Sequence, residues 1–144
     1  GIGHNMYAEE AGLVAHNSFV HAFAELGLVG GIWFFGLFVL LGYAIWRLRT
    51  VRQEIADPAL GYLHPFVMAL LVAYGISMMS LSRAYAGSTY LIAGIAASYI
   101  GLTLPQTSLP PIRLNGNVFK WLAVGSVGFI AFIYVYIKVL VRMG

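Results

Sequence analysis

The sequence predicts an all-α chain folded as a polytopic transmembrane helical bundle, with four membrane spans and a short amphipathic helix outside the lipid. Three observations predict it. Of 144 residues, 60% are hydrophobic and only 9% are charged, with a mean hydropathy of +0.84. A water-soluble domain carries about a quarter charged residues, so these charges cannot cover a water-facing surface. The apolar residues also come in unbroken runs long enough to cross a bilayer core, which takes roughly 20 helical residues. Polar residues, finally, are gathered at the ends of those runs and in residues 1–25.

The first span is predicted from about Leu26 to Trp46, closed by Arg47 and Arg49. The second runs from Pro65 to Leu81, with proline in the first turn, where its missing N–H costs nothing. The third runs from Ala84 to Leu104, where Pro105 stops it, and the fourth from Val118 to Val141. Small residues recur at packing spacing: Gly27 with Gly31, Ala93 with Ala97, Gly94 with Ser98. Such pairs let backbones approach where no hydrophobic effect drives helices together. A plain packed bundle accounts for them. The chain thus divides into a segment 1–25 and a membrane part 26–144, and a start at Gly1 rather than Met suggests a piece of a larger membrane domain.

Orientation follows from the positive-inside rule. The link after the first span holds Arg47, Arg49 and Arg52 and is expected in the cytoplasm, which puts residues 1–25 and the turn around Arg83 outside. Arg113 and Lys120 then fall inside, whereas Lys138 and Arg142 fall outside, so five of the eight basic residues obey the rule.

Residues 1–25 hold three of the four histidines and three of the five acidic residues. Gly1-Ile2-Gly3 predicts a tight turn. Asn17 or Ser18 is a suitable helix N-cap, and Phe19, Val20, Phe23 and Leu26 follow at helical spacing. His21 and Glu25 stand four apart on that helix and can pair; Gly27, Gly30 and Gly31 form its junction with the first span. His16 precedes the cap. A histidine titrates near neutral pH and can take a proton from a hydroxyl, but it can equally bond a loop carbonyl, and the residues alone leave both roles open.

Other chemistries lack their residues. No cysteine is present, which removes disulfides and thiolate chemistry. His4, His16, His21 and Glu25 do not have the spacing of a compact ligand pair on one helix face, and His64 lies at a span boundary rather than where haem would sit, so no metal and no cofactor is expected. No basic face with stacking aromatics supports nucleic-acid binding.

The run Ala15–Leu41, with His16-Asn17-Ser18, Glu25, Gly27 and Gly30 after Gly1 and Gly3, resembles the O-antigen ligase and polymerase family. In that family a Gly-x-Gly element precedes His-Asn-Ser, and Glu-x-Gly-x-x-Gly then leads into a membrane helix. The stretch from Ser80 to Tyr99 is similar to the family's next outer turn and helix, so the likeness covers about residues 1–104. It implies a bacterial inner-membrane glycosyltransferase, working in lipopolysaccharide or exopolysaccharide synthesis at the periplasmic face. The donor would be a glycan on undecaprenyl pyrophosphate, and the acceptor a hydroxyl of a glycan, a lipid-core sugar or a protein, with no metal or nucleotide sugar. It implies His16 as the catalytic residue and outer arginines as pyrophosphate ligands, of which Arg83 is the one here. Asn17 would hold His16, and Glu25 would pair with His21 or orient the sugar. The chain departs from the family in having only four spans, the fourth beyond the usual end. It is therefore expected to be inactive alone.

Arg83 can also be read as an interface anchor for anionic headgroups, and Tyr85 and Tyr90 as aromatic-belt residues. Two other functions compete: a transporter or flippase component for lipid-linked glycans, or a structural membrane subunit. A transporter places ionisable groups near the bilayer midplane, whereas here the polar cluster is at one face.

Overall fold

The computed structural model describes residues 1–3, 6, 17–81 and 84–143. Among these the chain is all-helical, and four helices are long and apolar enough to cross a membrane. They are α1 (Ser18–Leu48), α2 (Pro58–Met78), α3 (Gly87–Thr103) and α4 (Gly116–Met143). A 3-10 segment, Arg49–Glu54, joins α1 to α2, and another, Leu104–Gln106, prolongs α3. The chain is a multi-pass membrane protein.

The helix α1 has two arms. Asn17 caps its start, its side-chain Oδ1 accepting from the Phe19 and Val20 amides at 3.0 and 3.1 Å. The helix breaks at Gly27, whose φ of 72° lies in the left-handed region. The short arm, 18–26, then folds back on the long one. The Phe19 ring meets those of Phe34, Phe35 and Phe38 at 5.6–6.1 Å between centroids. In a straight helix Phe19 and Phe38 would be about 28 Å apart. The reversal requires small residues, since a Cβ at Gly31 would lie 2.1 Å from the Phe23 ring. The predicted short helix is therefore present, but packed against the span rather than running into it. Gly27 serves as the break and not as a packing partner of Gly31.

The start of α2 differs from the sequence expectation. It begins at Pro58, with Asp57 as N-cap accepting from the Ala59 amide at 2.9 Å, and Pro65 lies inside the helix. A capping aspartate followed by proline is a complete start signal, and it outranks the second proline. His64 consequently sits within the span, not at its boundary. The Gly61 carbonyl, which Pro65 cannot bond, accepts instead from Arg52 Nε at 2.8 Å.

Residues 1–112 form one compact unit and 113–144 a second. In the first, α1, α2 and α3 pack pairwise, burying Ile45, Leu48, Val67, Leu71, Met78, Ala93 and Ala96. On α3 the packed face runs through Thr89, Ala93, Ala96, Tyr99 and Thr103, whereas Gly94, Ala97 and Ser98 face outward. Of the small-residue pairs expected to pack on α3, only Ala93 does so. Large apolar side chains such as Phe66 and Leu91 stay 70% and 65% exposed, as lipid-facing groups do. The second unit is α4 by itself, capped by Asn115, whose Oδ1 accepts from the Val118 amide at 2.9 Å.

The three-helix unit has two ends. One carries the turn 79–86 and the short arm of α1, and is called here the turn end. At the other, the link end, Glu54 accepts from Ser108 N and Oγ at 2.5 and 3.0 Å, and Gln106 Oε1 accepts from the Ala56 amide at 3.0 Å.

Candidate functional site

Polar side chains converge at the turn end. Glu25, on the last turn of the short arm, has a fully buried side chain, and its Oε1 lies 2.9 Å from His21 Nε2, whose side chain is 15% exposed. The four-residue spacing puts both on one face of the arm. Tyr85, from the 79–86 turn, packs edge-on against the His21 ring at 5.6 Å. Its phenol is pushed up to about 12, first by burial and then by hydrogen bonding to Glu25 and that carboxylate's charge, with a smaller contribution from Tyr90. The phenol is thus neutral at any physiological pH. Tyr85 takes part in this cluster and is no mere interface residue.

Two further contacts bind the arm to its surroundings. Ser18, fully buried, donates from Oγ to the Leu81 carbonyl in the turn. Residues 1–3 lie against the other end of the arm. Ile2 N donates to Ala24 O at 3.0 Å and Gly3 N to Glu25 O at 3.2 Å. Those carbonyls would bond the amides of residues 28 and 29 in an unbroken helix; the break at Gly27 releases them, and the N-terminal backbone takes them up. The approach is close at both glycines. A Cβ on Gly1 would lie 2.1 Å from Glu25 O, and one on Gly27 would lie 2.8 Å from Gly1 N. Gly3 has a φ of 104°, and residues 1–3 pair with the arm's carbonyls where a tight turn is expected from the sequence.

Of the predicted site residues, His21 and Glu25 come together as a pair, and Asn17 caps the start of the same arm. His16 and Arg83 lie outside the described residues, as does His4. Among the described residues no three His, Asp or Glu side chains gather as a metal-ligand group. Sequence reasoning missed Ser18 and Tyr85, whose partners are some 60 residues away and leave no local signal. It also missed the contact between Gly1 and Gly27.

The chain matches no family model, no curated protein and no solved structure.

A second polar group lies nearer the link end. His64, 3% exposed inside α2, bonds Tyr99 Oη through Nδ1 at 3.2 Å, and Tyr99 donates in turn to Leu60 O at 3.1 Å. Since the phenol proton goes to Leu60, His64 carries its proton on Nδ1. Towards the turn end, Tyr74 Oη meets Ser88 Oγ and Thr89 Oγ1, each at 2.8 Å.

Proposed function

We propose that this protein serves glycan transfer at the outer face of a bacterial inner membrane, in the manner of the O-antigen ligase and polymerase family. The donor is a glycan on undecaprenyl pyrophosphate, and the acceptor a hydroxyl on a glycan, lipid-core sugar or protein. One observation carries the reading. The separate parts of the resembling motif, Gly1 with Gly3, Asn17-Ser18, and Glu25 with Gly27 and Gly30, lie together around one short arm. Leu81 accepts from Ser18 and Tyr85 packs on His21 of that same arm; the roles of His16 and Arg83 rest on the resemblance.

In this reading neutral His16 accepts the proton of the acceptor hydroxyl. The acceptor oxygen bonds to sugar C1 as the bond from C1 to the pyrophosphate oxygen breaks. The leaving pyrophosphate departs as an anion, and Arg83 offers it paired guanidinium donors at any working pH. Asn17 fixes the start of the arm beside His16, and the buried Glu25–His21 pair fixes its end. A transporter reading draws on His64 inside α2. That histidine is bonded to Tyr99, however, and no Asp, Glu, Lys or Arg lies within α2 or α3, so surface chemistry has the better support.

Transfer measured in membranes with lipid-linked donor tests this. His16→Ala in the full protein should lower transfer by about 10²-fold or more while leaving membrane insertion intact, and His21→Ala should cost less. Arg83→Lys keeps the charge but loses the planar fork, so a phosphate ligand shows a marked loss and a headgroup anchor almost none. Near-normal transfer by His16→Ala would sink the proposal for that residue.

A further inference from the structure

The link end has an unusual charge arrangement. Arg47, Arg49 and Arg52 lie in the same link as Glu54 and Asp57, yet among the described residues none of them forms an ion pair; the pair His21–Glu25 is at the other end. Both carboxylates are engaged by backbone instead, Glu54 by the Ser108 amide and Asp57 by the Ala59 amide. Arg47 lies over the Tyr43 ring at 5.8 Å, and Arg49 is exposed.

Arg52, exposed like Arg49, differs from both in its partner. Its Nε is held at 2.8 Å on Gly61 O, the carbonyl that Pro65 leaves without a helical donor. One edge of the guanidinium is thereby fixed to α2. A planar guanidinium held through Nε keeps further donors for a second acceptor. The cleft around it is lined by Arg52, Gln53, Ile55, Pro58, Gly61 and Tyr62, at the first turns of a membrane span. The start of a span of this length falls near the lipid phosphates when it crosses a bilayer, and Pro58 and the 73% exposed Tyr62 give the cleft an apolar side.

We propose that this cleft binds the phosphate of an anionic lipid headgroup, with Arg52 as its pre-oriented cation. A guanidinium oriented through Nε and engaged in no ion pair favours a phosphate by charge and by geometry. The apolar wall at the membrane boundary favours a phosphate that arrives on a lipid over one free in water.

The test uses the full chain in nanodiscs of phosphatidylglycerol or phosphatidylcholine, with retained lipid counted by native mass spectrometry. Phosphatidylglycerol should be retained selectively. Arg52→Gln should weaken that retention about tenfold, and Arg49→Gln, which removes the same charge from the same link, less than about twofold. Equal losses in the two variants would reduce the site to a diffuse basic surface and overturn the proposal. So would equal retention of the two lipids, or displacement by millimolar inorganic phosphate. If Arg52→Gln does not fold, Arg52→Lys decides. It keeps the charge without the fork and should lose several-fold in affinity; full retention would overturn the role of the held guanidinium.

Discussion

Glu25 has no exposed side-chain surface, in a chain with only five acidic residues. A buried carboxylate is stable only when it is partnered, and His21 Nε2 lies 2.9 Å from its Oε1. Tyr85 responds to burial first and to this carboxylate second. Its ordinary value of 10.0 is raised to about 12, so the phenol stays protonated in the folded chain at pH values where an unfolded chain ionises it. The stability this contributes is complete below pH 10 and is lost as pH rises through about 12. Comparing tyrosinate absorption of the chain with that of Tyr85→Phe isolates this phenol. Glu25→Gln should move its titration down from about 12 toward 10.0, leaving the part due to burial. An unmoved titration would mean that the carboxylate is not its neighbour. The His21–Glu25 pair was legible in the sequence because four-residue spacing on a helix fixes distance. Tyr85 was not, because nothing local distinguishes a tyrosine that docks on a distant helix from one that sits at the lipid boundary.

At the scale of elements, the break in α1 is the feature most open to test. Gly27→Ala forces a side chain into φ 72° and against Gly1 N. It should destabilise the chain by about 1–2 kcal/mol, read as thermal unfolding in detergent by circular dichroism. Gly75→Ala is the control: it lies inside α2 with open space around its Cβ position, and should stabilise by about 0.5–1 kcal/mol. Equal effects at the two sites would contradict a break that depends on glycine. Four helices were legible because runs of about 20 apolar residues have few alternatives in lipid. Asn17 was legible as a cap for the same local reasons that made Pro65 a misleading start. Local signals rank candidate boundaries, but Asp57 with Pro58 ranked higher than was allowed for. That the short arm folds back was not legible, because it depends on Phe19 finding three rings far along the chain.

For the whole molecule, sidedness is the property on which the proposed chemistry depends. Three arginines at the link end predict that this end is cytoplasmic and the turn end outside. Single cysteines at Thr50 and Ile2, both exposed, test it with an impermeant thiol reagent, whereas buried Ser18 would stay silent on either side. Ile2→Cys should label in intact cells and Thr50→Cys only after lysis; the reverse pattern would invert the topology. The contacts between α2 and α3 also bear on how the molecule is made. Tyr74 bonds Ser88 and Thr89, and His64 bonds Tyr99, which in turn bonds Leu60. Each helix alone would carry an imidazole or hydroxyls into hydrocarbon without those partners, at a cost of several kcal/mol for each unmet group. Joined by a short turn, the two can satisfy one another before they leave the translocation machinery. The economical unit of biogenesis is therefore the hairpin, and a ribosome that has finished α2 still holds a polar half awaiting its complement.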